Sequence, residues 1–210
     1  DLAIKQAELK QESDTKKAQA DAAMAIEAEN QRKAKEIAFA NANLAKQEKE
    51  ILLKQKEAEV KEILQDVEGL RLQLLNLVNA DAEVFNNFMA CYRMPRGTDL
   101  EKFSRAQAIQ RAAKQAAEVP LKIAKLSLEV MRHAERIAAI GNQGAITDAA
   151  CSAILGRAAL RSAVYNVIVN LKIIKDDFYT QDMYRKLEAM EQEANCLEKS
   201  TLATTDEVLA

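Results

Sequence analysis

The sequence predicts an all-α protein: a multi-helix bundle preceded by a long charged helix or coiled coil. Three observations carry that expectation. Five Gly and two Pro in 210 residues are too few for the turns of a sheet protein. Hydrophobic residues make up 49% of the chain but aromatics only 4%, and the Ala, Leu, Glu, Lys and Gln that dominate it are strong helix formers. Every Gly and Pro lies after residue 68, so the chain divides into a breaker-free part and a punctuated part.

Residues 1–68 form the first part, a long helical or coiled-coil segment. Residues 1–62 hold 12 basic and 13 acidic side chains, 14 alanines and a single aromatic, Phe39. As one helix such a stretch would reach roughly 90 Å. Ile37, Leu44, Ile51 and Ala58 repeat at seven, and Leu53, Val60, Val67 and Leu74 make a second such row, the spacing of a coiled-coil seam. Before Ile37 the apolar positions thin out, which leaves a solvated helix as the alternative there. Residues 69–199 follow as a bundle, with helices expected at about 70–93, 100–117, 120–140, 146–174 and 177–198. Pro95 and Gly97 end the first of these, and Pro120 separates the second from the third at a first-turn position. Gly141 and Gly144 supply left-handed helix ends, and Thr147 and Asp148 offer caps for the next helix. Residues 200–210 are expected to be a flexible tail.

Charge and cysteine use exclude several functional classes. With 30 Lys+Arg against 32 Asp+Glu, the formal net charge is -2, which gives no general attraction for nucleic acid or an anionic membrane. No apolar run is long enough to span a bilayer, and no leader opens the chain; peripheral membrane association has no support. The first residue, Asp1, suggests a fragment. Cys91, Cys151 and Cys196 form neither a C-x-x-C unit nor an even set, so a reducing, cytoplasmic setting is expected and the thiols are taken as small buried groups. No cluster with metal-ligand spacing is present, so no metal site is expected.

Candidate residues gather in the second part. Ala149, Ala153, Gly156, Ala159 and Ala163 leave one face of their helix nearly without side chains, open to close packing. Nearby, Arg157 and Arg161 stand four apart with no acid at i±4. They are either a cationic stripe for an anionic ligand tail or partners of acids on another helix. Asp148 follows a glycine-containing loop and opens the close-packed helix, as a catalytic or substrate-orienting carboxylate or as a helix cap. Asn166 and Asn170 share a helical face, able to meet one ligand edge or to hold a neighbouring backbone. His133 is expected to be a partly exposed structural residue, and Tyr165 to be buried in the core.

Two stretches resemble known families. Ala18-Gln19-Ala20-Asp21-Ala22-Ala23, Glu29-Asn30-Gln31-Arg32 and Ala40-Asn41-Ala42-Asn43-Leu44-Ala45-Lys46-Gln47-Glu48 resemble the coiled-coil region of flotillin-like scaffold proteins, which implies oligomerisation. From about Leu70 to Glu198, five ordered blocks resemble the cyclodeaminase/cyclohydrolase family of one-carbon folate enzymes. They are Leu75-Asn76-Leu77-Val78-Asn79-Ala80-Asp81-Ala82-Glu83-Val84-Phe85-Asn86, Met89-Ala90-Cys91-Tyr92-Arg93-Met94-Pro95, the pair Ala108-Ile109-Gln110-Arg111-Ala112 and Ala116-Ala117-Glu118-Val119-Pro120-Leu121, the G-N-x-x-A-x-S/T-D loop at Gly141-Asn142-Gln143-Gly144-Ala145-Ile146-Thr147-Asp148, and Tyr165-Asn166-Val167-Ile168-Val169-Asn170-Leu171.

That resemblance implies an all-α homodimer or higher homo-oligomer acting on a tetrahydrofolate derivative without a further cofactor. It implies either ammonia elimination from 5-formiminotetrahydrofolate or hydrolysis of the methenyl bridge. Asp148 and Asp81 are then the catalytic candidates, and Asn142, Thr147, Asn166, Asn170, Arg157 and Arg161 the substrate-binding ones. A partly desolvated Asp81 would carry a raised pKa and shuttle a proton; exposure on the helix surface is the alternative. The family's glycine-rich hairpin, expected before the Asp81 block, is replaced by the charged segment. The chain is therefore expected to be an active folate enzyme domain, or one left inactive by an incomplete site. The alternative is an oligomerising scaffold of flotillin-like type carrying a non-catalytic bundle.

Overall fold

The computed structural model describes residues 2–210, and the described residues contain helices and no strand. They fall into two units, Asp1–Gln55 and Lys56–Ala210. No described helix is long and apolar enough to cross a membrane.

The first unit is the early part of helix α1, Leu2–Tyr92. None of its described side chains is buried: Ile37, Phe39, Leu44 and Ile51 all face solvent. Its cross-links are local, such as Lys16 to Glu12 at 2.6 Å and Lys54 to Glu50 at 2.8 Å, each one helical turn apart. Intrinsic helix propensity and such pairs are what hold this segment.

The second unit comprises the rest of α1, then α2 (Asp99–Ile140), a 3-10 turn at Gln143–Ala145, α3 (Ile146–Leu171) and α4 (Asp177–Leu209). The bundle-facing row of α1 is Ile63, Leu70 and Leu77, at sevenfold spacing; the expected row of Val60, Val67 and Leu74 flanks it half-buried. Leu70 and Leu77 pack with Leu126 of α2, and Phe88 joins the main core with Met131, Leu160, Val167 and Met183.

Helix α2 begins where the sequence changes register at Pro95. Thr98 and Glu101 form a reciprocal capping box: Thr98 Oγ1 accepts the Glu101 N–H at 3.2 Å, and the Glu101 carboxylate accepts the N–H groups of Gly97 and Thr98, each at 2.8 Å. The expected break at Pro120 is absent. Helices 100–117 and 120–140 are one element, with Pro120 buried in its interior.

Helix α3 lies against α2 through its small-residue face. Ala149, Ala153, Gly156 and Ala163 are buried, whereas Ala159 is exposed. A Cβ on Gly156 would come 2.7 Å from Met131 Cγ, so the glycine permits the approach. The glycines expected to turn left-handed do not: no described residue has a positive φ. Gly141 is extended, φ -73° and ψ -174°, and its role is clearance, since a Cβ there would meet the Ile137 carbonyl oxygen at 2.6 Å.

Helix α4 is capped by Asp176, whose Oδ1 accepts the Tyr179 N–H at 3.0 Å while Oδ2 accepts from Lys114 Nζ at 2.6 Å. The Lys114 ammonium, then the Tyr179 N–H, hold the Asp176 carboxyl below its ordinary range. Burial and the Glu118 carboxylate push the Tyr179 phenol up. Residues 200–210, expected as a flexible tail, continue α4 through Leu209, with Thr201 and Thr205 buried and each bonded to a carbonyl one turn back.

Gly156→Ala is expected to destabilise the second unit by about 1–3 kcal/mol, read as a lower midpoint in chemical denaturation. The Asp176 contribution is present above the ordinary carboxyl pKa and is lost as pH falls through its lowered value. Asp176→Asn is therefore expected to flatten part of the acid limb of stability against pH.

Candidate active site

Proline 120 has no N–H to return to the Ala116 carbonyl one turn earlier, so the helix interior is left with a free acceptor. Asn170 of α3 fills it: its Nδ2 donates to Ala116 O at 3.0 Å and to Asn166 O at 3.0 Å. The close packing of α3 on α2 thus carries an amide to the one carbonyl in mid-helix that needs it.

A groove of about 240 Å3 opens at this point, lined by Asp81, Phe85 and Phe88 of α1, Ala116 and Pro120 of α2, and Asn166, Val169 and Asn170 of α3, among others. Three sequence candidates therefore meet: Asp81, Asn166 and Asn170. Both N–H bonds of the Asn170 amide are committed to backbone carbonyls, which leaves only its Oδ1 uncommitted. Asn166 spends one N–H on Ser162 O at 3.0 Å. With the Asp81 carboxylate, this wall is rich in acceptors. It suits a cationic or N–H-bearing group and can accept a proton. Asp81 is exposed, as are Phe85 and Val169, so of its two alternatives it takes the exposed one, beside apolar neighbours.

Asp148 lies in a different groove of about 310 Å3, with His133, Ser152 and mainly apolar residues such as Ile63, Val67 and Ile137. The two carboxylates do not share a pocket. The cap expected from Thr147 or Asp148 is also absent. Ala145 occupies the cap position of α3 without a side-chain bond, and Asp148 sits in the helix's first turn, where the helix dipole favours an acid. Asn142 caps the 3-10 turn instead, accepting the Gly144 N–H at 2.9 Å. Thr147 is exposed.

Arg157 and Arg161 take the second of their two alternatives. Arg157 donates to Asn195 Oδ1 at 2.8 and 3.1 Å and lies 3.9 Å from Glu198. Arg161 pairs with Glu191 and stacks over the Tyr165 ring at 5.0 Å. Both tie α3 to α4, away from the Asp81 groove. Tyr165, expected in the core, is exposed, and so are Cys151 and Cys196; Cys91 is half-buried. His133 is half-buried.

Sequence reasoning missed the polar groups that join α2 to the turn after α3. Gln110 Nε2 donates to Ile173 O at 2.9 Å and its Oε1 accepts the Lys175 N–H at 2.7 Å, so one amide pins both strands of the turn. Arg105 donates to the Tyr92 carbonyl at 3.1 and 3.3 Å, closing the end of α1. The signal for Asn170 was the proline four residues beyond Ala116; Gln110 and Arg105 left none.

A family model described as formiminotransferase-cyclodeaminase matches residues 37–189. A methenyltetrahydrofolate cyclohydrolase of Methylorubrum extorquens is 38% identical over 148 residues, 70% of this chain and 71% of that protein. A formimidoyltransferase-cyclodeaminase of Mus musculus is 31% identical over 122 residues, which cover 58% of this chain and 23% of that longer protein. The crystal structure of formiminotetrahydrofolate cyclodeaminase from Thermotoga maritima superposes with a TM-score of 0.64 at 26% identity, covering 73% of each chain.

Asn170→Ala is expected to cost about 1–3 kcal/mol of stability by orphaning the Ala116 carbonyl. In a Pro120→Ala background, where residue 120 regains its N–H, the same change should cost about 1 kcal/mol less, a coupling that a double-mutant cycle in urea would measure.

Proposed function

Because the chain belongs to the formiminotransferase-cyclodeaminase family, we propose that it is a folate one-carbon enzyme domain that works at the Asp81 groove. The observation that carries this is the meeting of Asp81, Asn166 and Asn170 on one acceptor-rich wall beside the apolar Phe85, Phe88 and Val169. The apolar side chains suit the flat face of a pterin. The acceptors suit the cationic N–C–N unit that holds the one-carbon group.

In the cyclohydrolase direction, water adds to the methenyl carbon and Asp81 takes its proton. Breakage of a C–N bond then leaves a formyl group on one nitrogen: the departing nitrogen takes the proton from Asp81, and the carbinol hydroxyl gives up its own proton, which Asp81 passes to solvent as the one proton released overall. In the cyclodeaminase direction, N10 attacks the formimino carbon, Asp81 takes the N10 proton, and the departing nitrogen receives it as ammonia leaves. Both use one proton carrier and one cation-stabilising wall. The electrophilic carbon is already activated by its two nitrogens, so the reading assigns no metal and no resident cofactor. Relatedness to the Methylorubrum protein favours the cyclohydrolase reaction.

Asn166 and Asn170 hold the substrate through their carbonyl oxygens, and Asn142, Thr147, Arg157 and Arg161 lie outside this groove. Asp148 faces a second groove and is not needed for proton transfer. The exposed row of Ile37, Leu44 and Ile51 in the first unit supports self-association as a coiled coil, with a homo-oligomer in the cytoplasm as the working state. Family membership favours an enzyme over the inert-scaffold alternative.

Loss of methenyltetrahydrofolate absorbance on adding the purified protein tests the activity. Asp81→Asn is expected to lower kcat by about 100-fold or more with an unchanged helical spectrum, whereas Asp148→Asn should stay within about threefold of the parent. A rate no faster than buffer, with formimino and methenyl substrates alike, would overturn the proposal.

A further inference from the structure

The Asp81 groove, about 240 Å3, is smaller than the roughly 300–1,000 Å3 that buries most of a drug-sized ligand. It can hold a bicyclic ring, and the rest of a folate must run along neighbouring surface. Ile173 lines this groove and also lines a second, of about 540 Å3, bounded by Phe103, Ile109, Arg105, Arg111 and Lys175 among others. The two cavities are neighbours across one side chain.

The second groove has an uneven charge. Three cations line it, and no acid does. Arg105 bonds the Tyr92 carbonyl and lies 5.5 Å from the centre of the Tyr92 ring, both neutral partners that leave its charge uncancelled. Among the described residues, the side chains of Arg111 and Lys175 make no ion pair. Elsewhere in the second unit, long basic side chains facing another helix do find acids, as Lys114 finds Asp176, Arg132 finds Glu193 and Arg136 finds Glu59. Gln110 fixes the turn that carries Lys175, so the cation is presented from an anchored backbone. The floor is apolar, and an aromatic ring can lie on Phe103 and Ile109 while carboxylates reach the rim.

We propose that this groove is the seat of the substrate's aminobenzoyl-glutamate tail, with Arg105, Arg111 and Lys175 receiving its carboxylates. The assignment rests on the folate reading of the Asp81 groove and places the tail in a groove that Arg157 and Arg161 do not line. Exposed charge pairs are modest and salt-screened, so each additional glutamate tightens binding by a small factor and high ionic strength removes the gain.

The test is calorimetric binding of p-aminobenzoyl-tri-γ-glutamate to the full chain at low salt, alongside kcat and KM for methenyltetrahydrofolate carrying one or three glutamates. Arg111→Ala and Lys175→Ala are each expected to weaken the tail peptide by about fivefold, to raise KM for the triglutamate by a similar factor and to leave kcat unchanged. Lys175→Glu, exposed and harmless to the melting temperature, should weaken it further. Asp81→Asn should bind the tail peptide as the parent does. Absence of tail-peptide binding, or equal binding by all these variants, overturns the groove assignment even if the enzyme turns over. Tail binding that responds to Arg111 and Lys175 in a protein with no folate turnover would keep the groove as a polycarboxylate site and overturn the catalytic reading instead.

Discussion

The close approach of α3 to α2 is the constraint on which the rest of the second unit depends. Gly156 sits where any side chain would strike Met131, and the buried alanines on either side keep the two helices near each other along the face. That proximity sets which residues can meet further along. It brings Asn170 within reach of Ala116 and Gln110 within reach of the turn at 173–175. Both polar links would be out of range across an ordinary leucine-filled interface, because helix axes there stand farther apart.

The site follows from the same geometry. An asparagine recruited to repair a proline-broken helix has its donors consumed and only its acceptor left over. A structural need therefore determines the polarity of the wall that Asp81 completes from α1. The electrostatics elsewhere are arranged differently. Arg132, Arg136, Arg157 and Arg161 are answered by acids or amides of a facing helix and serve as ties, whereas the cations around Phe103 are not.

Much of the fold was legible in the sequence, and the exceptions share a cause. The all-α class and the stop at Pro95 follow from composition and local turn chemistry, which act within a few residues. The break at Pro120 and the tail at 200–210 were expected from the same local rules. They failed because a partner from α3 mends the first, and burial of Thr201 and Thr205 orders the second. The candidate site was legible in part. Asp81, Asn166 and Asn170 were singled out, but their convergence is a tertiary fact. The pairing of Arg157 with Asn195, 38 residues away, is likewise invisible to a search at i±4.

The proline in α2 also bears on the order in which the chain assembles. Before α3 docks, the Ala116 carbonyl has no partner from residue 120, and the donor that replaces it lies 54 residues on. Helix α2 in the nascent chain is therefore two weakly coupled helices, divided where local sequence divides them, and it becomes one only when a contact of long sequence separation closes. The joint between these halves and the pocket beside it mature in the same event, so a chain caught before that event would have its helices largely formed and no place to bind a ligand.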